Sequence, residues 1–249
     1  MSSDLDACVE RVRAGDPDRF LATMSAPPAL RAVLFPLYAF NVEVSRAPWM
    51  TSEAMIAEMR LQWWRDVLEE ISSGGPVRRH EIATPLADVL DADMAQALDR
   101  SVEARRWDIY REPFETPDDF DAHIADTAGT LLWVAGRLSG AGDDPALRSI
   151  GWAQGLANWL LAIPALEAAG RMPLVDGRAE AIADLAKRGL AALSARPANK
   201  AGRIAALAAW RARPLLKLAI RAPQRVAAGD LAQSEFARRG GLLMQSLRA

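Results

Sequence analysis

The chain has 249 residues, of which 51% are apolar and 25% charged. That is long enough to bury a core unaided and too apolar for a disordered chain. One cysteine, Cys8, excludes an internal disulfide framework and a Cys-based zinc cluster, and two histidines, His80 and His123, leave little room for a multi-His metal site or a Ser-His-Asp hydrolase. The formal net charge of -2 is unevenly spread: residues 196–249 carry 11 Lys/Arg against 2 Asp/Glu, and the first 195 residues 19 against 30. The basic part is expected to meet something anionic, whether lipid, diphosphate, an acidic protein or the acidic half of its own chain.

Apolar spacing is helical nearly everywhere, with no sustained period-two alternation. Leu5, Cys8, Val9 and Val12 form a stripe behind an Asp4 cap. Leu30, Val33, Leu34, Leu37, Tyr38, Asn41 and Val44 form a second, stopped by Pro48. Ser52 is expected to cap a third helix through Ile71, ended by Ser72-Ser73-Gly74-Gly75. Residues 76–85 read as a loop, and Leu86 to about Tyr110 as helix broken near Asp91. Pro117 with Asp118 and Asp119 opens the next helix, which ends near Gly140. Asp144-Pro145 opens another through about Ala169. Asp176 is expected to start a helix to Ala195, Asn199 one through about Arg221, and Asp230 the last. Pro36, Pro164 and Pro214 sit inside these patterns and should kink or split their helices. The pattern predicts one all-α domain over residues 1–249, built of eight to ten packed helices.

A Mg2+ site for diphosphate chemistry needs carboxylates on adjacent turns. The acidic i,i+4 pairs are Asp6/Glu10, Asp66/Glu70, Asp99/Glu103 and Glu180/Asp184. Asp66/Glu70 stands out beside Trp63 and Trp64; the others read as solvated faces. Asp118, Asp119 and Asp121 follow Pro117 and read as a helix start. Cys8 reads as a core or boundary residue and His123 as a surface or boundary one. Trp63, Trp64, Trp133, Trp152 and Trp159 fall within helices, either as core or as walls of an apolar ligand cavity. Arg213, Lys217 and Arg221 recur every four residues among apolar neighbours, the pattern of a basic amphipathic helix for an anionic membrane or an acidic partner. No nucleic-acid reader motif appears. The longest apolar run, Leu156 to Leu166, is about half the ~20 residues a membrane span needs. The acidic start MSSDLDACVE lacks a secretory or transit pattern, so a soluble, cytoplasmic chain is expected.

Four blocks together resemble the squalene/phytoene synthase superfamily: DRFLATMSAPPALRAVLFPLYAFNVEVSR (Asp18 to Arg46), LQWWRDVLEEI (Leu61 to Ile71), ARRWDIY (Ala104 to Tyr110) and TAGTLLWVAGRLSG. Their order and spacing match over roughly residues 16 to 175, and only loosely beyond. LYAFN followed by LQWWRD resembles the subgroup of the mitochondrial complex I assembly factor and its bacterial relatives. The resemblance implies an isoprenoid-synthase-type fold, with helices around a central apolar cavity. In active synthases two facing helices carry DxxxD motifs whose aspartates hold Mg2+ and the prenyl diphosphate. By the resemblance the first motif's positions fall here on Ser45 and Trp49, and the second's on about Ala162 and Leu166. Glu43 is the only acid on the first of these helices, and residues 152 to 164 contain no carboxylate.

The resemblance therefore implies a catalytically silent member with no cofactor, acting in biogenesis of respiratory complex I. Its cavity is expected to hold a lipid or isoprenoid between Tyr38, Asn41, Ser45, Asn158, Leu161 and Ala162. Its partners are expected to be a respiratory-complex subunit and, peripherally, a membrane. The alternative is an active prenyl-diphosphate transferase whose Mg2+ is held by displaced ligands, Glu43, Asp66 or Glu70, converging within the cavity.

Overall fold

The computed structural model describes residues 3–110, 112–231 and 233–247. Helix α1 (Ser3–Gly15) carries Asp4 and Asp6 in its first turn, where carboxylates favour the positive end of the helix dipole. A break at Asp16 starts α2 (Pro17–Ser25), a helix the apolar pattern does not predict; the Asp16 carboxylate accepts the Arg19 N–H at 2.9 Å. Helix α3 (Pro28–Arg46) runs unbroken across Pro36, which is buried between Phe35 and Leu37. A buried proline costs one ladder hydrogen bond, and the flanking apolar burial offsets it. A 3-10 turn (Ala47–Trp49) leads to α4 (Ala54–Ser73). Helix α4 starts after Glu53 without a side-chain cap, not on Ser52, and closes on Gly74 at φ 70°.

The expected loop 76–85 gives way at its end to α5 (Ala83–Ala87). Asp91 accepts the Met94 N–H at 2.8 Å and starts α6 (Ala92–Ala104), which is followed by α7 (Trp107–Tyr110). Thr116 and Asp119 form a reciprocal capping box at the start of α8 (Pro117–Ile124). A π turn (Ala125–Gly129) joins α8 to α9 (Thr130–Ser139), which ends on Gly140 at φ 91°. Helix α10 (Pro145–Ala168) runs from its Asp144 cap through Pro164 without splitting.

Three boundaries differ from expectation. Helix α11 (Ala179–Ala192) begins after Arg178, because Asp176 turns back onto the Arg178 N–H and guanidinium. The helix opened by Asn199 divides into α12 (Lys200–Ala205), a 3-10 turn (Ala206–Ala209) and α13 (Ala212–Arg221). The break precedes Pro214, which sits harmlessly in the first turn of α13. After α14 (Gln224–Ala227), Asp230 pairs with Arg225 at 2.7 Å, and α15 is Glu235–Ser246. No strand occurs among the described residues.

Two large apolar cores form, with a small third cluster of Ala22, Leu207, Trp210 and Leu242 beside them. One gathers α1, α3, α4, α6 and α9 around Leu37, Leu61, Leu98 and Val134. The other gathers α8, α10, α11, α13 and α14 around Ile124, Leu156, Ile182 and Leu216. Helix α10 is buried on most sides, which is why its sequence is apolar nearly all round. Its Gly151 and Gly155 lie against the π turn: a Cβ on Gly151 would sit 2.7 Å from the Ala128 carbonyl oxygen, and one on Gly155 2.4 Å from Ala128 Cβ. Only glycine allows that approach, and it sets one wall of the space between the cores.

Candidate functional site

That space is a cavity of about 410 Å3. Residues one turn apart on α3 and just beyond it supply one wall: Asn41, Ser45 and Trp49. The facing stripe of α10 supplies another: Asn158, Ala162 and Leu166, with Gly155 and Trp159 beside them. Ser45, Trp49, Ala162 and Leu166, onto which the resemblance carries the aspartate positions, thus all line this one cavity. Thr127 of the π turn completes the polar lining with the two asparagines and Ser45.

Charge enters as two ion pairs at helix ends. Asp16 caps α2 and meets the Arg19 guanidinium at 2.6 Å; that guanidinium lies over the Tyr38 ring at 5.5 Å. Arg105, after α6, meets the Asp108 carboxylate of α7 at 3.4 Å. All four groups line the cavity. Asp108 is 3% exposed. Burial raises its carboxyl above the usual range, and Arg105 and Arg171 pull it back. Arg171 stacks on Trp49 at 4.5 Å and Trp107 at 5.6 Å, and donates to the Trp107 and Asp108 carbonyls. It thereby fixes the indole that forms the cavity's edge.

Of the six residues expected around a ligand, Asn41, Ser45, Asn158 and Ala162 line the cavity. Tyr38 does not: it is buried under Arg19, which keeps its ring in the core, and burial pushes its hydroxyl up to about 12. Leu161 faces away, into an adjoining space of about 310 Å3 near Gln154 and Trp210. The apolar pattern missed Asp16, Arg19, Arg105 and Asp108. The signal available was block membership, since Arg19 lies in the first resembling block and Arg105 and Asp108 in ARRWDIY.

None of the carboxylates proposed as displaced metal ligands lines the cavity. Glu43 pairs with Arg11 at 2.9 Å in a different pocket. Arg78 reaches both Asp66 at 3.7 Å and Glu70 at 2.5 Å. Arg65 likewise spans Asp99 and Glu103. The acidic i,i+4 spacing on α4 and on α6 therefore holds a guanidinium. Among the described residues no three His, Cys, Asp or Glu side chains gather as metal ligands.

His123 is 6% exposed, not at a surface or boundary. It packs behind the cavity against Trp107, Phe114 and Trp159, within 5.6 Å of each ring, and burial lowers it to about 3. Cys8 is buried with its thiol toward the Glu81 carbonyl, and burial pushes it up to about 12, an inert core thiol. On α13, Arg213, Lys217 and Arg221 are exposed in a row, while Leu215, Leu216 and Ala219 are already buried in the second core. The helix thus offers cations but no free apolar face. No helix among the described residues is long and apolar enough to cross a membrane.

Residues 12–175 match the family profile described as squalene/phytoene synthase. The chain belongs to the squalene/phytoene synthase family. The matched span includes every cavity residue named above. Among curated proteins it is similar to the Drosophila melanogaster homolog of NADH dehydrogenase (ubiquinone) complex I, assembly factor 6, at 31% identity over 166 residues, 63% of this chain and 50% of that protein. The Homo sapiens assembly factor 6 is 27% identical over 161 residues, 63% of this chain and 48% of that protein. The chain thus spans about half the length of the curated relatives it matches. Among solved structures, a dehydrosqualene synthase in complex with ligand superposes with TM-score 0.73 at 13% identity, covering 98% of this chain and 96% of that one. Squalene synthase HpnC from Alicyclobacillus acidocaldarius gives TM-score 0.61 at 19% identity, covering 98% and 92%. These two show the fold: an all-α squalene synthase-type architecture over nearly the whole chain.

Proposed function

We propose that this chain is a non-catalytic member of the family that holds an uncharged, apolar lipid or isoprenoid and serves in the assembly of respiratory complex I. The observation that carries the ligand class is the charge balance of the cavity. Its two guanidinium groups are each paired with a carboxylate, so the lining sums to zero. A departing diphosphate needs metal ions or unpaired cations to take up its charge. Ser45, Trp49, Ala162 and Leu166 supply a hydroxyl, an indole and two apolar groups where the resemblance implies aspartates. A neutral ligand needs only what is there: amides and hydroxyls at Asn41, Asn158, Ser45 and Thr127 for a polar end, and an apolar remainder. The volume lies within the ~300–1,000 Å3 of small-molecule pockets.

The assembly role is supported by the likeness to complex I assembly factor 6 over 63% of the chain. The exposed cations of α13 would face an acidic subunit of the complex. Three measurements test the reading. Deleting the gene in its own organism is expected to deplete assembled complex I on native gels; unchanged complex I sinks the assembly role. Organic extraction of the purified protein is expected to release a neutral lipid. Incubation with Mg2+ and farnesyl, geranylgeranyl or presqualene diphosphate is expected to release no diphosphate. Chelator-sensitive turnover would overturn the non-catalytic reading in favour of an active transferase.

A further inference from the structure

Five of the eight methionines are more than half exposed: Met244 on α15, and Met50, Met55, Met59 and Met172. Methionine is ordinarily a core residue, so five in the open call for a cause. Three of the last four follow one another from the 3-10 turn into the start of α4, two elements that pack together. Met55 and Met59 stand one turn apart at the start of α4. Met50 directly follows Trp49, and the Trp49 ring lies under the guanidinium of Arg171, whose neighbour is Met172. Trp49 is itself 45% exposed and lines the cavity, so it joins the cavity's edge to the surface that carries these methionines.

Beside this surface is a second pocket of about 410 Å3, walled by Met50, Trp63, Arg46 and Arg60. Its other cation, Arg11, is taken up by Glu43. Arg46 and Arg60 are exposed, and neither has a carboxylate within 4 Å among the described residues. Residues 47–60 contain two carboxylates: Glu58, which Arg106 holds at 2.9 Å, and the exposed Glu53. The face therefore combines flexible apolar side chains, an indole at the edge and two unpaired guanidinium groups.

The geometry points to this face as a peripheral docking surface for an anionic lipid bilayer. The methionines and Trp49 enter the boundary between headgroups and acyl chains, and Arg46 and Arg60 meet lipid phosphates. The inference rests on the lipid-holding reading of the cavity for its purpose, because a water-insoluble ligand needs a route that avoids bulk water. A mouth pressed on the bilayer supplies one. It also separates the insertion surface from α13, whose apolar side is already used inside the fold.

The test is sedimentation of the full chain with vesicles of phosphatidylcholine, with and without phosphatidylglycerol. The wild type is expected to pellet with the anionic vesicles. Met55→Asp with Met59→Asp is expected to cut the bound fraction about tenfold or more, since two apolar side chains that enter the bilayer are replaced by carboxylates that its phosphates repel. Arg46→Glu with Arg60→Glu should abolish the preference for phosphatidylglycerol, and Lys217→Glu should leave binding unchanged. All five residues are exposed, so folding is expected to persist, checked by thermal unfolding. An environment-sensitive dye on Met59→Cys, the only reactive thiol because Cys8 is buried, should brighten on vesicles. Failure of the wild type to bind either vesicle overturns the proposal. So does loss of binding in Lys217→Glu alone, which would move the contact to α13, or undiminished binding by the methionine variant. A chain that binds vesicles through this face yet releases no lipid on extraction sinks the cavity reading alone.

Discussion

Two sets of carboxylate–guanidinium pairs share one chemistry and differ in burial. On α4 and α6, Arg78 holds Asp66 and Glu70, and Arg65 holds Asp99 and Glu103, with carboxylates 27% to 45% exposed. In the cavity, Arg19 holds Asp16 and Arg105 holds Asp108, with carboxylates 22% and 4% exposed. Water screens the first set, so each pair contributes little to stability and nothing to the cavity. The second set sits where screening is weak and an unpaired charge is costly. The surface clusters follow the i,i+4 pattern that suggests metal ligation, and they lie away from the cavity. The buried pairs both follow the common i,i+3 spacing of opposite charges, which suggests no metal site, and they set the cavity's net charge.

The widest separation between the sets is expected from Asp108→Leu. It strands Arg105 beside the cavity and should lower unfolding free energy by about 3 kcal/mol in urea melts. Asp16→Ala removes both the cap of α2 and the partner of Arg19, with an expected loss of about 2 kcal/mol. A smaller effect concerns pH. His123 stays neutral in the folded chain down to about 3, whereas the unfolded chain protonates it near its ordinary 6.5. Its contribution is present above 6.5 and is lost as pH falls from there toward 3. Asp108 opposes this: its raised pKa lets the folded chain bind a proton first, so stability is gained as pH falls toward 3.8. Thermal melts between pH 7 and 4 should therefore show a flatter acid loss in His123→Phe and a steeper one in Asp108→Asn. The smallest effect is expected from Glu70→Gln, at most about 1 kcal/mol and shrinking with added salt. An equal loss for Glu70→Gln and Asp108→Leu would erase the distinction between the two sets.

The helical class, the break near Asp91, the caps at Asp144 and Asn199, and the stops at Gly74 and Gly140 were legible, because capping and the 3.6-residue period are local physics. Ser52, Asp176 and Asp230 misled. Each is a residue type that suits a cap, and here Asp176 and Asp230 bind a nearby arginine instead. Pro36 did not split its helix because burial of it and of both neighbours outweighed one missing hydrogen bond, and α10 likewise continues past the half-buried Pro164.

For the site, the sequence by itself determined the residues that share a helix face: Asn41 with Ser45 and Asn158 with Ala162, each pair one turn apart. Which side of α3 and α10 meets the cavity was already implied by the family resemblance. Only the tertiary structure decided that Tyr38 and Leu161 turn elsewhere, that Asp16, Arg19, Arg105 and Asp108 converge there, and that their charges cancel. Each pair is local, three residues apart at a helix end, but the two pairs lie far apart in the chain. Their meeting in one cavity and their burial depend on how α2 and α7 pack against α3 and α10, a long-range arrangement that no local periodicity records.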